Sequence, residues 1–131
     1  SYATVGEGVI MCKPLVFSGL YSGVCSFLRV DTSVKERKYA FKDACSRYVE
    51  LNETMTLPKG YKMVQDAKSL SSEGNVASAS GSIAQEGTKL RAEQKISLGK
   101  RVYEASDWAQ FRGAVNAFKE ITNGVLVFEK K

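Results

Sequence analysis

The clearest signal along the chain is alternation of apolar and polar positions. From Tyr48 to Leu57 the residues Val49, Leu51, Met55 and Leu57 share one face, and Glu50, Asn52, Thr54 and Thr56 share the other. A period of two is that of a half-buried β-strand. Glu53 alone breaks the apolar side. Pro58-Lys59-Gly60 then combines a fixed φ with a permissive residue and predicts a tight turn, after which Tyr61–Val64 resumes as a strand. Lys89–Leu98 alternates in the same way, with Leu90, Ala92, Ile96 and Leu98 on one side. Glu86-Gly87 before it reads as a hairpin turn.

The serine-rich stretch 69–82 reads as a loop feeding a weak strand from about Val76 to Ile83, with side chains small enough to lie beneath a covering helix. The period then changes. Trp108, Phe111, Val115 and Phe118 fall at i, i+3, i+7 and i+10, one face of a helix over about 105–122. Ser106 or a residue just before it is placed to cap that helix, Asp107 suits its first turn, and Asn123-Gly124 stops it. Val125–Phe128 closes the chain as a short apolar strand. In the first 35 residues, Val9–Cys12 and Leu15–Phe17 on either side of Pro14 read as short strands. Cys25–Val30 reads as a third, with turns at Gly19 and Gly23. The expected fold is mainly β (α+β), an antiparallel β-sandwich with one helix packed on a sheet between the last two strands. The whole, 1–131, is expected to be a single β-rich domain cut from a longer multidomain protein.

Composition narrows the chemistry more than the fold. The 131 residues contain no histidine, which removes histidine-based triads and dyads. Cys12, Cys25 and Cys45 fit no zinc spacing, and their expected state is buried thiols; a Cys12–Cys25 disulfide requires an oxidising compartment. Gly6-Glu7-Gly8 begins like a dinucleotide fingerprint, but Met11 stands where the third glycine belongs. Glu50 and Glu53 lie three apart on a strand, hence on opposite faces, and Glu104 and Asp107 are explained by the start of the helix. Asn52-Glu53-Thr54 matches a glycosylation acceptor and is read as strand residues. Trp108 is expected in the core rather than as a binding platform, and Tyr39 and Tyr61 near turns are expected to pack at sheet edges, the alternative being that they line an exposed groove. The net charge is +5, but no basic run is long or interleaved with aromatics, so nucleic acid is not an expected partner. No stretch approaches the roughly 20 apolar residues that span a bilayer. No catalytic, cofactor-binding or metal-binding residue is nominated, and no enzyme activity is expected.

The order of several segments resembles a known family. Arg37-Lys38-Tyr39-Ala40-Phe41 precedes the long strand, which ends in Leu57-Pro58-Lys59-Gly60-Tyr61. Ile96-Ser97-Leu98, Asp107-Trp108 with Phe111-Arg112, and the tail Val125–Lys131 follow. This pattern, over roughly 36–131, is similar to the C-terminal β-rich domain of unknown function in bacterial transglutaminase-like proteins. Ala40 and the Glu104-Ala105 start of the helix depart from it, since the family usually has proline there. The resemblance implies a preceding papain-like core that carries the Cys-His-Asp triad, so no catalytic residue transfers to this chain. It implies a non-catalytic accessory domain, periplasmic or at the cell surface, whose partner is the preceding transglutaminase-like domain or an envelope protein or polysaccharide. The alternative is an independent carbohydrate- or cell-wall-binding module. An exposed row of aromatics on one sheet would favour the second; an apolar patch near the N-terminus would favour the first.

Overall fold

The computed structural model describes residues 3–17 and 29–131. Among the described residues, ten strands and one α-helix follow in order. They are β1 (Ala3–Gly6), β2 (Val9–Cys12), β3 (Phe41–Lys42), β4 (Arg47–Thr56), β5 (Tyr61–Met63), β6 (Lys68–Ser72), β7 (Ala77–Glu86), β8 (Lys89–Leu98), β9 (Val102–Tyr103), α1 (Trp108–Thr122) and β10 (Leu126–Lys130). All the pairings among the described residues are antiparallel. One sheet runs β4-β8-β7-β6, a second runs β1-β2-β10-β5, and β3 pairs with β9 alone. Among the described residues the fold is mostly β with one α-helix, as the change of period predicts.

The long sheet has one dry face. On β8, Leu90, Ala92, Gln94, Ile96 and Leu98 all point inward and are buried. Two covers share that face. Over Ile96 and Leu98, α1 brings Trp108, Phe111, Val115 and Phe118 into one buried cluster with Val49, Ala77, Ala79 and Tyr103. Over Leu90 and Ala92, the second sheet brings Ile10, Cys12, Leu126 and Phe128. The helix sits close because the strands beneath it are small. A methyl on Gly81 of β7 would lie 3.0 Å from Ile121 Cγ1, and one on Gly113 of the helix would lie 2.8 Å from Ser72 Oγ. Phe41, Tyr103, Trp108 and Phe111 form an aromatic knot at the far end, with ring centroids 5.0–5.8 Å apart.

Several expectations change. Leu15–Phe17 is a 3-10 turn rather than a strand: after Pro14 the chain bends inward to bury Val16, whose N–H reaches Glu53 Oε2 at 3.0 Å. The stretch read as a loop contains a full edge strand, β6, and β7 extends to Glu86. Serine alternation there places Ser69 and Ser71 outward, opposite Ser82 and Ser80, so the ladder forms without bulky side chains. Gly6 ends β1 and Glu7-Gly8 form the two-residue hairpin turn to β2, with Gly8 at φ 73°, so the segment opens no helix. Of the two capping alternatives it is a residue before Ser106 that serves: Glu104 is the N-cap of the turn that leads into α1. Asp107 Oδ2 accepts the Glu104 N–H at 2.9 Å across a 3-10 turn (Ala105–Asp107) that leads into α1. The turns read at Gly19 and Gly23 lie outside the described residues, as does most of the strand read at Cys25–Val30.

Candidate interaction surfaces

The residues weighed for chemistry are dispersed. Cys12 is a buried free thiol whose Sγ lies 3.9 Å from Met55 Sδ. Burial, with a smaller contribution from the Glu53 carboxylate, holds its pKa above the ordinary thiol range. Cys45 is exposed and free, and Cys25 lies outside the described residues. Glu50 and Glu53 do face opposite ways. Glu53 points inward to the Val16 N–H, and Glu50 points outward among Tyr48, Asn52 and Lys95. Asp107 is held below the usual carboxylate range, first by Lys100 Nζ at 2.9 Å and then by the Glu104 N–H. Among the described residues, no group of three or more His, Cys, Asp or Glu could hold a metal ion. No described helix is long and apolar enough to cross a membrane.

Trp108 is 1% exposed, and its Nε1–H donates to the Val34 carbonyl at 2.8 Å. That bond belongs to a strap the sequence did not suggest. Residues 30–34 run beside α1, and alternate carbonyls accept from its side chains: Val30 from Lys119 Nζ at 3.3 Å and Thr32 from Arg112 Nε at 2.7 Å. Arg37 closes the strap by stacking its guanidinium 4.2 Å from the Trp108 ring and 4.8 Å from that of Phe41. Tyr61 is half-buried in edge strand β5, as expected of an edge tyrosine, whereas Tyr39 is 82% exposed.

The outer face of the long sheet is polar. Strand pairing sets Ser71, Ser80, Lys95 and Glu50 in one row and Ser69, Ser82, Glu93 and Asn52 in the next. Short serines beside longer side chains leave two shallow depressions of about 180 and 170 Å³, which share Ser80 and Lys95. Tyr48 Oη donates to Glu50 Oε2 at 3.0 Å, and Asn52 Nδ2 donates to Oε1 at 3.1 Å. These bonds, Asn52 first, then Tyr48, with Lys95 3.7 Å away, lower the Glu50 pKa. Donation to Glu50 in turn raises that of Tyr48. The signals for this surface in the sequence are the polar alternation at 50–56 and 89–95 and that of serine at 69, 71, 78, 80 and 82. A deeper cavity of about 280 Å³ lies where the end of α1 meets the β5–β6 connection, with Met63, Ile83, Ile121 and Leu126 among its walls.

Exposed apolar side chains gather elsewhere. Val5, Met11, Leu15, Val64 and Val125 lie on or beside the strands of the second sheet, whereas Tyr48 is the one large exposed apolar side chain on the long sheet among the described residues.

With this architecture in view, the chain belongs to the family described as a domain of unknown function with solved structure (DUF3858), whose model matches residues 10–128. No curated protein matches it. It is similar in fold to a crystal structure described as "a putative protease from Parabacteroides distasonis ATCC 8503", with a TM-score of 0.69 and 18% identity. The match covers 94% of this chain and 24% of that one, so the chain spans about a quarter of the protein it resembles. At that identity the likeness establishes the shared fold.

Proposed function

We propose that this chain is a non-catalytic accessory domain of a larger, transglutaminase-like cell-envelope protein, periplasmic or at the cell surface. In this reading it packs on the papain-like module that precedes it and helps present a substrate or partner. The observation that carries the reading is the fold's recurrence as about a quarter of a longer chain described as "a putative protease". Papain-like proteases and transglutaminases share a thiolate nucleophile activated by histidine. This chain has no histidine, and burial pushes the Cys12 thiol away from the low pKa a nucleophile needs.

The test has two parts. The reading frame upstream of Ser1 is expected to encode a Cys-His-Asp module; a frame without one refutes the reading. The isolated chain is expected to show no peptide hydrolysis and no amine incorporation into casein. Iodoacetamide labelling across pH 5–9 is expected to leave Cys12 slow throughout. Fast labelling of one cysteine below pH 7, lost together with a measurable turnover in its serine variant, would restore an enzyme.

One observation favours a polysaccharide-binding module instead, namely the serine-lined depressions on the outer face. On that face Tyr48 is the one exposed aromatic among the described residues, so the row of ring faces expected of such a platform is not formed there.

A further inference from the structure

Building on the accessory-domain reading, we infer that the outer face of the second sheet is the surface that packs on the preceding module of the same polypeptide. One row crosses β1, β2 and β10 and reaches the residue that follows β5. Thr4 pairs with Met11, Met11 with Val127, and the Val64 N–H continues the row by donating to the Val127 carbonyl at 2.8 Å. Val9 and Val125 flank it on β2 and just before β10. Met11 is 45%, Val64 54% and Val125 51% exposed. An antiparallel sheet with one face on the core ordinarily turns polar residues outward. The long sheet obeys that rule with its serines, lysine and glutamates. The second sheet presents methyl and thioether groups along this row; charge returns beside it, where Glu129 lies between Val9 and Lys62 and where the exposed Lys13 follows β2.

The size of the patch selects the occupant. Four strands about 4.8 Å apart and a few residues deep span on the order of 300 Å². A stable complex of separate chains buries about 800 Å² on each partner, which disfavours a second copy of this chain. A tethered neighbour is held at roughly millimolar effective concentration, and interfaces between domains of one chain begin near 600 Å² in total. β1, the first strand, is the edge of this same sheet, so a polypeptide arriving from upstream reaches the domain beside this face.

The test uses the polypeptide extended upstream to include the catalytic module. A Met11→Lys/Val64→Lys variant is compared with wild type and with Thr54→Lys on the outer face of the long sheet. Limited proteolysis of the junction is expected to run at least ten times faster in the double variant and at the wild-type rate in Thr54→Lys. All three isolated chains are expected to melt within about 2 °C of one another, since the substituted side chains are exposed. Equal cleavage of double variant and wild type, or an effect confined to Thr54→Lys, would overturn the assignment and leave the accessory reading standing. A tight dimer of the isolated chain that the double variant dissolves would also overturn it, making a second copy the occupant. An upstream frame with no catalytic module would instead remove the accessory reading and this surface with it.

Discussion

Glu53 shows how a single residue can contradict its strand and still belong there. It occupies an inward position of β4, opposite the buried Ala92, where the alternation asks for an apolar side chain. Its carboxylate accepts the N–H of Val16, which the 3-10 turn carries into the core. A buried donor left without an acceptor costs about 1–3 kcal/mol. Glu53→Ala is therefore expected to lower stability by about that amount, whereas Glu53→Gln keeps an acceptor in place and costs less. Urea titration followed by Trp108 fluorescence distinguishes the two; equal losses would mean that the charge, not the hydrogen bond, is what matters. Gln94 is the comparable case on β8: 1% exposed, with Nε2 3.4 Å from the Phe118 carbonyl.

At the scale of elements, the helix and the strands beneath it specify each other. Trp108, Phe111, Val115 and Phe118 form the apolar stripe, and Ala77, Ala79 and Gly81 form the shallow bed that receives it. Phe111 is 1% exposed and touches three other rings, so Phe111→Ala is expected to cost about 3–5 kcal/mol. Gly81→Ala tests the bed from the other side. Alanine suits a strand better than glycine. Its methyl, however, would meet Ile121 at 3.0 and 3.1 Å and the Glu93 carbonyl at 3.2 Å. Overpacking of this kind costs about 1–3 kcal/mol, so a net loss in denaturant midpoint is expected. A gain would show that α1 lifts freely from β7.

For the whole molecule, the two covers of the long sheet raise the question of cooperativity. The helix cluster and the second-sheet cluster are distinct, but Leu51 packs against both, and Ile121 at the end of α1 belongs to the second. One unfolding transition is therefore expected, with Trp108 fluorescence and far-ultraviolet circular dichroism coincident. Phe128→Ala and Phe111→Ala are expected to shift that same transition, although the residues lie in different clusters. Two separated transitions would mean that the second sheet is an independent unit.

What the sequence determined by itself is the part where burial is one-sided and regular. β4, β8 and α1 are legible because a period of two or 3.6 records which side of an element is dry. The small residues of β7 are legible in the same way, as space left for a helix. Other features depend on partners distant in sequence. β3 and β9 are two residues long and exist only because Phe41 and Tyr103 meet. The strap is held through its own backbone carbonyls by helix side chains more than 70 positions away, so its residue types carry little trace of it. The same holds for both outer faces. Alternation shows that a sheet has a wet side but not which strands lie next to one another. Only the tertiary structure brought Met11, Val64 and Val127 into one apolar row and set the serines of β6 and β7 beside Lys95, because strand order is settled by packing among segments that no local pattern connects.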